Sequence, residues 1–344
     1  MQRYMGGMAT QAQKDLFNYV VRTARGKGVI ITTHDIPDVD GLGCAYALRR
    51  YIGSRRAVIV TGSTIQRTDP LVDKLGMDLR RWSDIAKDDD RPMVVVDTNT
   101  ASLMRSANGR GNDILAVIDH HCVTSTPLDA TVFIRNERAV SVCEILASLI
   151  PSSRIEGDPS IALALAVGIY GDSDRLLIAD MPTLHTFEAL AGIAGKKRPA
   201  IDALAYPPLS ADTLVDLLED IRHLRKETHR GKLIAVGKTT QDVPAVFAMM
   251  LGSMSINVGV AVGRIRKGAY RLSFRVNESD AALGLCASEI AEKTSEECGM
   301  PKSMYGGGHD NKAGGVIIGS YGRIVAAVMK ASKEVIDQTL DKKR

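Results

Sequence analysis

Short apolar runs alternate with amphipathic segments along the first half of the chain. Runs rich in β-branched residues predict buried strands at 28–31, 57–61, 93–96, 114–118 and, near a sheet edge, 131–134. Apolar residues at helical spacing predict helices at 11–25, 44–51, 140–150, 159–170 and 183–193. Strands that alternate with helices favour a mostly parallel sheet with right-handed crossovers. We therefore expect an α/β protein whose N-terminal domain contains a doubly wound, mostly parallel sheet.

The pattern changes in the second half, where predicted strands follow one another more closely. We expect strands at 233–236, 258–262, 270–276 and 316–318, and helices at 211–226, 244–251, 281–296 and 321–337. The charged segments 80–91 and 219–230 are interpreted as a surface connection and a solvated helix face. The predicted limits are 1–195 for the N-terminal domain, 196–228 for a helical linker and 229–344 for a smaller C-terminal α/β domain.

The composition is that of a globular protein large enough for two domains. The 344 residues are 45% hydrophobic and 24% charged, and the formal net charge is +4. This mildly basic balance permits an anionic substrate but does not by itself indicate nucleic-acid binding. Aromatic residues make up only 4%, with Trp82 as the single tryptophan, which argues against a long platform for stacking single-stranded bases.

Cysteine usage and the apolar runs bear on the compartment. The five cysteines form no C-x-x-C pair, which favours reduced thiols in a cytosolic compartment. The N-terminus shows no basic segment followed by an apolar core, and the longest apolar run, 161–170, is too short to span a bilayer. We expect a cytoplasmic protein without a membrane partner. A homodimer is compatible with the sequence, which does not determine the oligomeric state.

Acidic and imidazole side chains follow several of the predicted strands. The stretch T-T-H-D-I-P-D-V-D-G-L-G at 32–43 lies between a strand and a helix. Because ligand sites of open α/β sheets lie at the carboxyl ends of the strands, several separate turns are expected to form one site. Its candidate residues are His34, Asp38, Asp40, Asp97, His120 and His121, with Asp172 joining them from a helix end. Each turn alone is also compatible with an acidic, solvated loop.

The charge of such a site indicates what it would bind. Its four aspartates would bring about four negative charges into one crevice, and buried carboxylates do not all stay ionised unaided. Two divalent cations would neutralise them. Because the site offers carboxylates and imidazoles but no thiolate, Mn²⁺ or Mg²⁺ is favoured ahead of structural Zn²⁺. The ligand types do not decide between the first two, and we expect Mn²⁺ with Mg²⁺ as the alternative. A pair of metal ions is an established arrangement for hydrolysing phosphoesters.

Spaced motifs along the chain carry a resemblance to a known family. They are H-D-I-P-D-V-D-G-L-G at 34–43, D-T-N at 97–99, D-H-H at 119–121 and G-D-S-D at 171–174. Together they resemble the four motifs of the DHH phosphoesterase superfamily. G-G-G-H at 306–309, followed by A-G-G at 313–315, resembles the signature of the associated DHHA1 substrate domain. The chain is similar to the branch that contains nano-RNases (oligoribonucleases), pAp phosphatases and RecJ-like or dinucleotide phosphodiesterases.

The resemblance implies a role for each matching residue of the first domain. The implied metal ligands are His34 and Asp38 for one ion, Asp40, His120 and Asp172 for the other, and Asp97 as the bridge. The implied catalytic pair is His121, beside the scissile phosphate, and Asp119, which would orient an imidazole or the backbone. The fourth motif departs from the usual T-D-T-G or T-D-S-G, so Asp174 is an alternative to Asp172, which the register favours.

The C-terminal motifs imply a substrate clamp. Its residues would be Arg275, Gly306, Gly307, Gly308 and His309. An arginine offers a planar fork for two phosphate oxygens, and a glycine run lets backbone N–H groups approach a phosphate closely. Lys312 stands where the family often has a small residue, and it either adds a positive charge to the clamp or is simply solvated.

These features predict a metal-dependent phosphodiesterase that hydrolyses short oligonucleotides to mononucleotides by attack of a metal-bridging hydroxide on phosphorus. Hydrolysis of pAp or of linear or cyclic dinucleotides belongs to the same prediction. The alternatives are a RecJ-like exonuclease acting on longer single strands, an exopolyphosphatase or pyrophosphatase, and a non-catalytic nucleotide-binding replication scaffold. The G-G-G-H run argues against the pyrophosphatase, and the presence of every ligand position argues against the scaffold.

Overall fold

The computed structural model describes residues 9–62, 68–107, 110–121, 127–239, 244–308 and 310–342. The chain forms two compact units, Met1–Pro208 and Leu209–Arg344. The boundary between the units lies inside the segment 196–228 that the sequence predicts as a linker. Helical residues of that segment belong to both units.

The first unit is built on a six-stranded sheet. Its strands are β1 (Val29–Thr32), β2 (Ala57–Thr61), β3 (Leu79–Arg81), β4 (Met93–Val96), β5 (Ile114–Asp119) and β6 (Val132–Arg135). They lie in the order β3-β2-β1-β4-β5-β6, and all neighbouring pairs are parallel. The strand order reverses between β1 and β4, which opens a crevice at the carboxyl ends of these two strands.

Eight helices of the described residues accompany this sheet. They are α1 (Gln11–Lys27), α2 (Val39–Ile52), α3 (Asp69–Leu75), α4 (Val142–Leu149), α5 (Ser152–Glu156), α6 (Pro159–Asp172), α7 (Met181–Ile193) and α8 (Arg198–Ala205). Side-chain oxygens cap α2, α4 and α7, because Asp38, Ser141 and Asp180 accept hydrogen bonds from N–H groups of the first turns.

Alternate residues of the strands face different hydrophobic clusters. Ile31 and Ile59 pack with the helices in the main core, whereas the neighbouring Ile30 and Val60 pack against Trp82 on the other face. Helix α6 is apolar around its whole circumference and is buried from Ile161 to Tyr170. A helix of this kind belongs in the middle of a core, so its C-terminal end is held firmly.

Helices α2 and α6 approach each other at a glycine. A Cβ atom at Gly43 would lie 2.6 Å from the carbonyl oxygen of Ala164 in α6. Because real Cβ atoms do not approach oxygen this closely, glycine is required for the observed spacing of the two helices. This contact brings the first turn of α2 and the last turn of α6 to the same end of the sheet.

The interpretation of 80–91 as a surface connection is wrong at its start. Residues Leu79–Arg81 form strand β3, which pairs in parallel with β2, and a 3₁₀ turn follows at Trp82–Asp84. Arg80 and Arg81 are exposed on this outermost strand. Charged residues are common on edge strands because they discourage pairing with other chains, and here they conceal the strand in the sequence pattern.

The second unit also contains a six-stranded sheet, but its pairing is mixed. Its strands are β7 (Arg225–His229), β8 (Lys232–Thr239), β9 (Val258–Arg266), β10 (Ala269–Val276), β11 (Gly307–Gly308) and β12 (Lys312–Ile318). Their order is β11-β12-β10-β9-β8-β7, and β8 with β9 is the parallel pair. The helices are α9 (Ala211–Arg222), α10 (Pro244–Ser253), α11 (Glu278–Ala281), α12 (Ala287–Glu297) and α13 (Tyr321–Asp341).

Two clusters cover the faces of this second sheet. Phe274 on β10 packs with Ile290 of α12 and Val328 of α13, whereas Ala261 on β9 packs with Leu217 of α9 and Phe247 of α10. The sheet therefore has helices on both faces. The predicted fold class, an α/β protein with a parallel N-terminal sheet and a smaller C-terminal α/β unit, is confirmed.

The prediction of one helix at 211–226 is wrong at its C-terminal end. Helix α9 ends at Arg222, and Arg225–His229 is an edge strand, so the charged segment 219–230 is not a continuous helix face. Arg230 and Gly231 have φ angles of 48° and 79°, which is the conformation of a tight hairpin turn between β7 and β8. Among the described residues, no helix has the length and apolar character needed to cross a bilayer.

Candidate metal centre

The carboxyl ends of β1, β4 and β5 bring acidic and imidazole side chains together. Asp97 directly follows β4, and Asp119 is the last residue of β5. His34 lies in the loop after β1, and His120 and His121 follow β5. Helices add three carboxylates, from the N-cap residue Asp38 and the first-turn residue Asp40 of α2, and from Asp172 at the end of α6.

Two groups of side chains share the carboxylate of Asp97. In the first group, the Nε2 of His34 lies 3.4 Å from an oxygen of Asp97 and 4.0 Å from an oxygen of Asp38. In the second group, the Nε2 of His120 lies 3.5 Å from Asp97, 3.1 Å from Asp172 and 3.9 Å from Asp40. Within each group the candidate ligand atoms lie within 4.8 Å of one another. A third set, which overlaps the second, combines Asp97 and His120 with His121.

The hydrogen bonds around these groups fit metal ligands. Asp97 is 2% exposed, yet no described residue donates a well-aligned hydrogen bond to either carboxylate oxygen. The Nδ1 of His120 lies 3.2 Å from the carbonyl oxygen of Ala139, which only accepts, so Nδ1 carries the proton and Nε2 the lone pair. The carboxylate oxygens and Nε2 lie close enough to share either a proton or a metal cation.

The pKa values of these residues also show that the site favours positive charge. Burial lowers the pKa of His34, but the carboxylates of Asp97 and Asp38 outweigh burial and raise it to about 9. Burial likewise lowers the pKa of His120, and Asp172 and Asp97 raise it well above its usual value. Burial raises the pKa of Asp40, and the charge of Asp97 raises it further. Protons and divalent cations therefore compete for the same ligands.

The backbone of Asp97 is in an uncommon conformation. Its φ angle is 61°, which is rare for a residue with a side chain, and its N–H donates to the carbonyl oxygen of Ile118 on β5. A Cβ atom at Gly41 in α2 would lie 3.0 Å from an oxygen of Asp97 and 2.5 Å from the hydroxyl of Thr33. The tight turn and the glycine together let the helix approach the shared carboxylate. Strain of this kind is typical of functional sites.

His121 belongs to a chain of hydrogen bonds beside the two groups. Its Nδ1 lies 2.8 Å from one oxygen of Asp119, and the other oxygen of Asp119 accepts a hydrogen bond of 2.6 Å from the side-chain amide of Asn99. Asp119 is fully buried, so its carboxylate is fixed from both sides. The imidazole of His121 is thereby fixed on its Nδ1 side.

The structure gathers seven of the eight predicted site residues of the first unit in these overlapping groups: His34, Asp38, Asp40, Asp97, His120, His121 and Asp172. The eighth, Asp119, lies beside them and contacts His121. Asp172, and not the alternative Asp174, belongs to the groups defined by ligand distance among the described residues. The sequence reasoning gave no role to Asn99, although D-T-N was recognised as a motif. It also missed Asp35, whose N–H donates to the Leu103 carbonyl at 2.7 Å and anchors the loop that carries His34.

The helix N-terminus that holds Asp40 was also missed. The oxygens of Asp40 accept hydrogen bonds from the N–H groups of Val142 and Cys143, at 2.7 and 3.0 Å. These are the first N–H groups of α4, which favour a negative charge. The sequence S-V-C-E at 141–144 is typical of a helix start and could have indicated this N-terminus. It does not indicate that Asp40 is the residue bound there.

The second unit places most of the predicted clamp on one side of its sheet. Arg275 on β10 is paired in register with Lys312 on β12, and Gly307 and Gly308 form β11 beside it. Gly308 has a φ angle of 153°, and a Cβ there would lie 2.4 Å from the Lys312 carbonyl oxygen, so this glycine is needed for close strand packing. A Cβ at Gly306 would lie 2.7 Å from the Gly314 oxygen. His309 lies outside the described residues.

Comparisons with known proteins agree with this geometry. Residues 28–169 match the DHH family, N-terminal domain. A probable manganese-dependent inorganic pyrophosphatase of Streptococcus pyogenes is 24% identical over 166 residues, which cover 47% of this chain and 52% of that protein. A protein of the same description from Streptococcus thermophilus is 22% identical over 175 residues, with 48% and 56% covered. The chain thus spans about half the length of the curated relatives it matches.

Solved structures show the same fold over the whole chain. An exopolyphosphatase-related protein from Bacteroides fragilis is similar with a TM-score of 0.73 and 15% identity, covering 96% of this chain and 98% of that protein. RecJ from Thermus thermophilus in complex with Mn²⁺ is similar with a TM-score of 0.52 and 14% identity, covering 98% of this chain and 57% of RecJ. The segment 28–169, whose motifs gather at the switch point of a parallel sheet, is thus similar in sequence to the N-terminal domain of the DHH family.

Proposed function

We propose that this chain is a metal-dependent phosphodiesterase that hydrolyses very short oligonucleotides to mononucleotides. The observation that carries the proposal is the pair of ligand groups that share Asp97 in the crevice between β1 and β4. The DHH family domain and the pyrophosphatase relatives support a hydrolase that acts on phosphate groups. Hydrolysis of pAp and of linear or cyclic dinucleotides falls within the same proposal.

The ligand assignment follows the two groups. His34 and Asp38 would hold one divalent cation, Asp40, His120 and Asp172 the other, and Asp97 both. When bound, the two ions supply the positive charge and the activated water that phosphoester hydrolysis requires. Oxygen and imidazole ligands suit Mn²⁺ or Mg²⁺, and the relatives described as manganese-dependent support Mn²⁺.

His121 is the residue proposed to act on the substrate. Asp119 and Asn99 fix its Nδ1 side, so Nε2 is the atom that meets a phosphoryl oxygen. A protonated imidazole at this position would give its Nε2 proton to the leaving oxygen or stabilise the developing charge, and a neutral one would accept a proton at Nε2. Asp119 is a positioning residue in this scheme, because it acts through the imidazole.

The second unit is proposed to hold the substrate. The register places the cationic side chains of Arg275 and Lys312 opposite each other on two neighbouring strands. The planar guanidinium of Arg275 suits two phosphate oxygens, and Lys312 would add a further positive charge, which supports phosphate binding by this unit. The glycine run at 306–308 and His309 would complete this clamp. The preference for a dinucleotide over a long strand rests on the resemblance of these motifs to those of nano-RNases.

Hydrolysis of pyrophosphate or polyphosphate is the second candidate function. The specific observation in its favour is that the curated relatives matching the first unit are described as pyrophosphatases. That match covers 47% of this chain, so it leaves the substrate preference of the second unit undetermined. A RecJ-like exonuclease on longer strands is distinguished from both candidates by substrate length.

One substrate panel tests the proposal. Dinucleotides, a long single strand, pAp, pyrophosphate and polyphosphate are each incubated with the full chain in Mn²⁺, in Mg²⁺ and after chelation. The proposal expects the fastest release of mononucleotides from dinucleotides, and only with a divalent cation. Faster turnover of the long strand would favour the exonuclease, and faster turnover of pyrophosphate would favour the second candidate.

A matched pair of variants links the activity to the site. Asp97→Asn keeps the size of the shared ligand but removes its charge, so it should abolish release with every substrate. Asp174→Asn changes a neighbouring aspartate that lies outside the ligand groups, and asparagine tolerates its φ angle of 47° well. The control should keep nearly full activity, and loss of activity in the control would move the ligand assignment to Asp174.

A further inference from the structure

We propose that Glu144 is a positioning residue that acts on His120 through the peptide group between Ala139 and Val140. The inference rests on the proposed metal site and concerns a side chain outside it. Glu144 lies in the first turn of α4 and is only 1% exposed. A buried carboxylate that is neither ligand nor catalytic group needs a physical reason to be there.

The geometry supplies that reason. One oxygen of Glu144 accepts a hydrogen bond from the N–H of Val140 at 2.9 Å. The carbonyl oxygen of Ala139 accepts the Nδ1 proton of His120 at 3.2 Å. Because the N–H of Val140 and the C=O of Ala139 belong to one planar peptide group, the carboxylate and the imidazole bind opposite ends of the same unit. Glu144, this peptide and His120 therefore form a continuous relay.

The second oxygen of Glu144 bonds to a residue of another helix. It accepts a hydrogen bond from the hydroxyl of Thr183 at 2.7 Å, and Thr183 is buried in the first turn of α7. The N–H of Glu144 also donates to the hydroxyl of Ser141, the N-cap of its own helix, at 3.1 Å. The carboxylate thus has partners on two helices, and the place of Glu144 in the first turn of α4 sets its direction towards Val140.

The relay has a direct effect on the ligand. Negative charge at the N–H end polarises the peptide and makes its carbonyl a stronger acceptor, because hydrogen bonds in a chain reinforce one another. The stronger acceptor holds the Nδ1 proton of His120 and increases the electron density at Nε2, the atom that faces Asp97 and Asp172. A carboxylate that binds a ligating histidine directly does the same. Here a peptide group lies between the two.

The effect is specific to one of the two ligand groups. The same turn of α4 donates the N–H groups of Val142 and Cys143 to Asp40, the other ligand in the group of His120. His34 and Asp38, by contrast, lie on the loop before α2 and at the N-cap of that helix, and among the described residues neither forms a hydrogen bond or an ion pair with α4. Glu144 is therefore expected to set the affinity for one ion and to leave the other unchanged.

The test measures Mn²⁺ binding one site at a time. His34→Ala and Asp172→Asn provide two backgrounds of the full chain, each with one group of ligands disrupted. Glu144→Gln, which keeps the shape but removes the charge, is introduced into both, and Mn²⁺ affinity is measured by electron paramagnetic resonance titration. In the His34→Ala background the affinity should fall about 10- to 100-fold, whereas in the Asp172→Asn background it should stay within about threefold.

Thr183→Val is the matched control. It removes a buried hydrogen bond to the same carboxylate but leaves the contact with Val140, so it should lower thermal stability with little change in Mn²⁺ affinity. Equal affinities of Glu144→Gln and its parent in both backgrounds would overturn the relay. So would an equal loss in both backgrounds, or the same loss in Thr183→Val, since these results indicate general loosening. If wild type binds no Mn²⁺, the proposed function fails as well; if it binds two ions, only the relay is in question.

A measurement on wild type serves if Glu144→Gln does not fold. With diamagnetic Mg²⁺ bound, ¹⁵N nuclear magnetic resonance identifies which imidazole nitrogen of His120 carries the proton. The relay requires the proton at Nδ1 and an amide proton of Val140 that exchanges slowly with solvent. A proton at Nε2, or a rapidly exchanging Val140 amide, would contradict the inference.

Discussion

In the absence of divalent cations, the unfolding free energy of the first unit should fall as the pH rises from 6.5 to about 9. The carboxylates of Asp97 and Asp38 outweigh burial and raise the pKa of His34 from 6.5 to about 9. The folded chain therefore binds this proton more tightly than the unfolded chain does. Its contribution to stability is complete below pH 6.5 and is lost as the pH rises through about 9.

The magnitude follows from the difference in proton affinity. A rise from 6.5 to about 9 corresponds to about 3 kcal/mol, at about 1.4 kcal/mol for each tenfold change in affinity. His120, whose pKa is also raised by Asp172 and Asp97 against the effect of burial, contributes with the same sign. Asp38, whose pKa is raised to about 6, has a contribution of the same sign that is already lost as the pH rises from about 4 to 6, below the measured range. A bound divalent cation replaces the proton, so the pH dependence should disappear in its presence.

Trp82 makes the measurement specific to the first unit. It is the only tryptophan and is buried against the sheet, so its fluorescence in urea reports the unfolding of this unit alone. The unfolding free energy is measured at several pH values between 6.5 and 9, in chelator and in saturating Mg²⁺. The expected result is a fall of about 3 kcal/mol in chelator and a flat profile in Mg²⁺.

Two histidine variants decide whether the reasoning is correct. His34→Asn should remove most of the pH dependence in chelator, whereas His185→Asn, on α7 and outside the ligand groups, should keep it. Stability in chelator that is constant or increases with pH would refute the electrostatic account. The same would be true if His34→Asn behaved like wild type.

Three further substitutions test other parts of the structure. Gly43→Ala places a Cβ 2.6 Å from a carbonyl oxygen of α6, so it should destabilise the first unit by about 1–3 kcal/mol in the urea assay. Gly26→Ala in α1 is the control: its Cβ would have no atom within 4 Å, so it should stabilise the unit slightly. Asn99→Ala removes a donor from the carboxylate that orients His121, so kcat should fall about tenfold while Mn²⁺ affinity is unchanged. Asp280→Ala removes a buried carboxylate in the second unit and should cost about 3 kcal/mol, measured by circular dichroism in urea.

For each of these substitutions, one result would contradict the prediction. Equal stabilities of Gly43→Ala and wild type would mean that α2 and α6 do not pack as closely as described. A loss of Mn²⁺ affinity in Asn99→Ala would make Asn99 part of the ligand support rather than of the His121 chain. Asp280 accepts a hydrogen bond from Asn257 at 2.6 Å and pairs with Lys232, so unchanged stability of Asp280→Ala would show that these contacts contribute nothing.

The location of the site can be predicted from the sequence because it depends only on the order and direction of the strands in the sheet. Apolar runs define the parallel strands, and the polar residues at their carboxyl ends then have to converge whatever the details of packing. His34, Asp97 and His120 follow three such strands and meet as expected. Asp172 was predicted with less support from pattern alone, because it ends a helix whose position depends on the whole core.

The supporting contacts are beyond the reach of pattern reasoning. Glu144 is separated from His120 by 24 positions along the chain, and the link between them passes through a backbone group that any residue provides. The positive φ of Asp97 is likewise invisible in the sequence, since glycine or asparagine is the usual signal for that conformation. The edge strands at Leu79–Arg81 and Arg225–His229 were missed because their exposed, charged residues lack the apolar alternation of half-buried strands.

The order of the ligands along the chain has a consequence for how the centre is assembled during synthesis. His34, Asp38 and Asp97 all precede residue 100, so the first ion-binding group is present in a nascent chain that ends soon after β4. The second group also needs His120, the turn that begins α4 and Asp172 at the far end of α6. The proposed ligands of the first ion therefore leave the ribosome before those of the second are complete, and a ribosome stalled before α6 would carry a chain that still lacks Asp172.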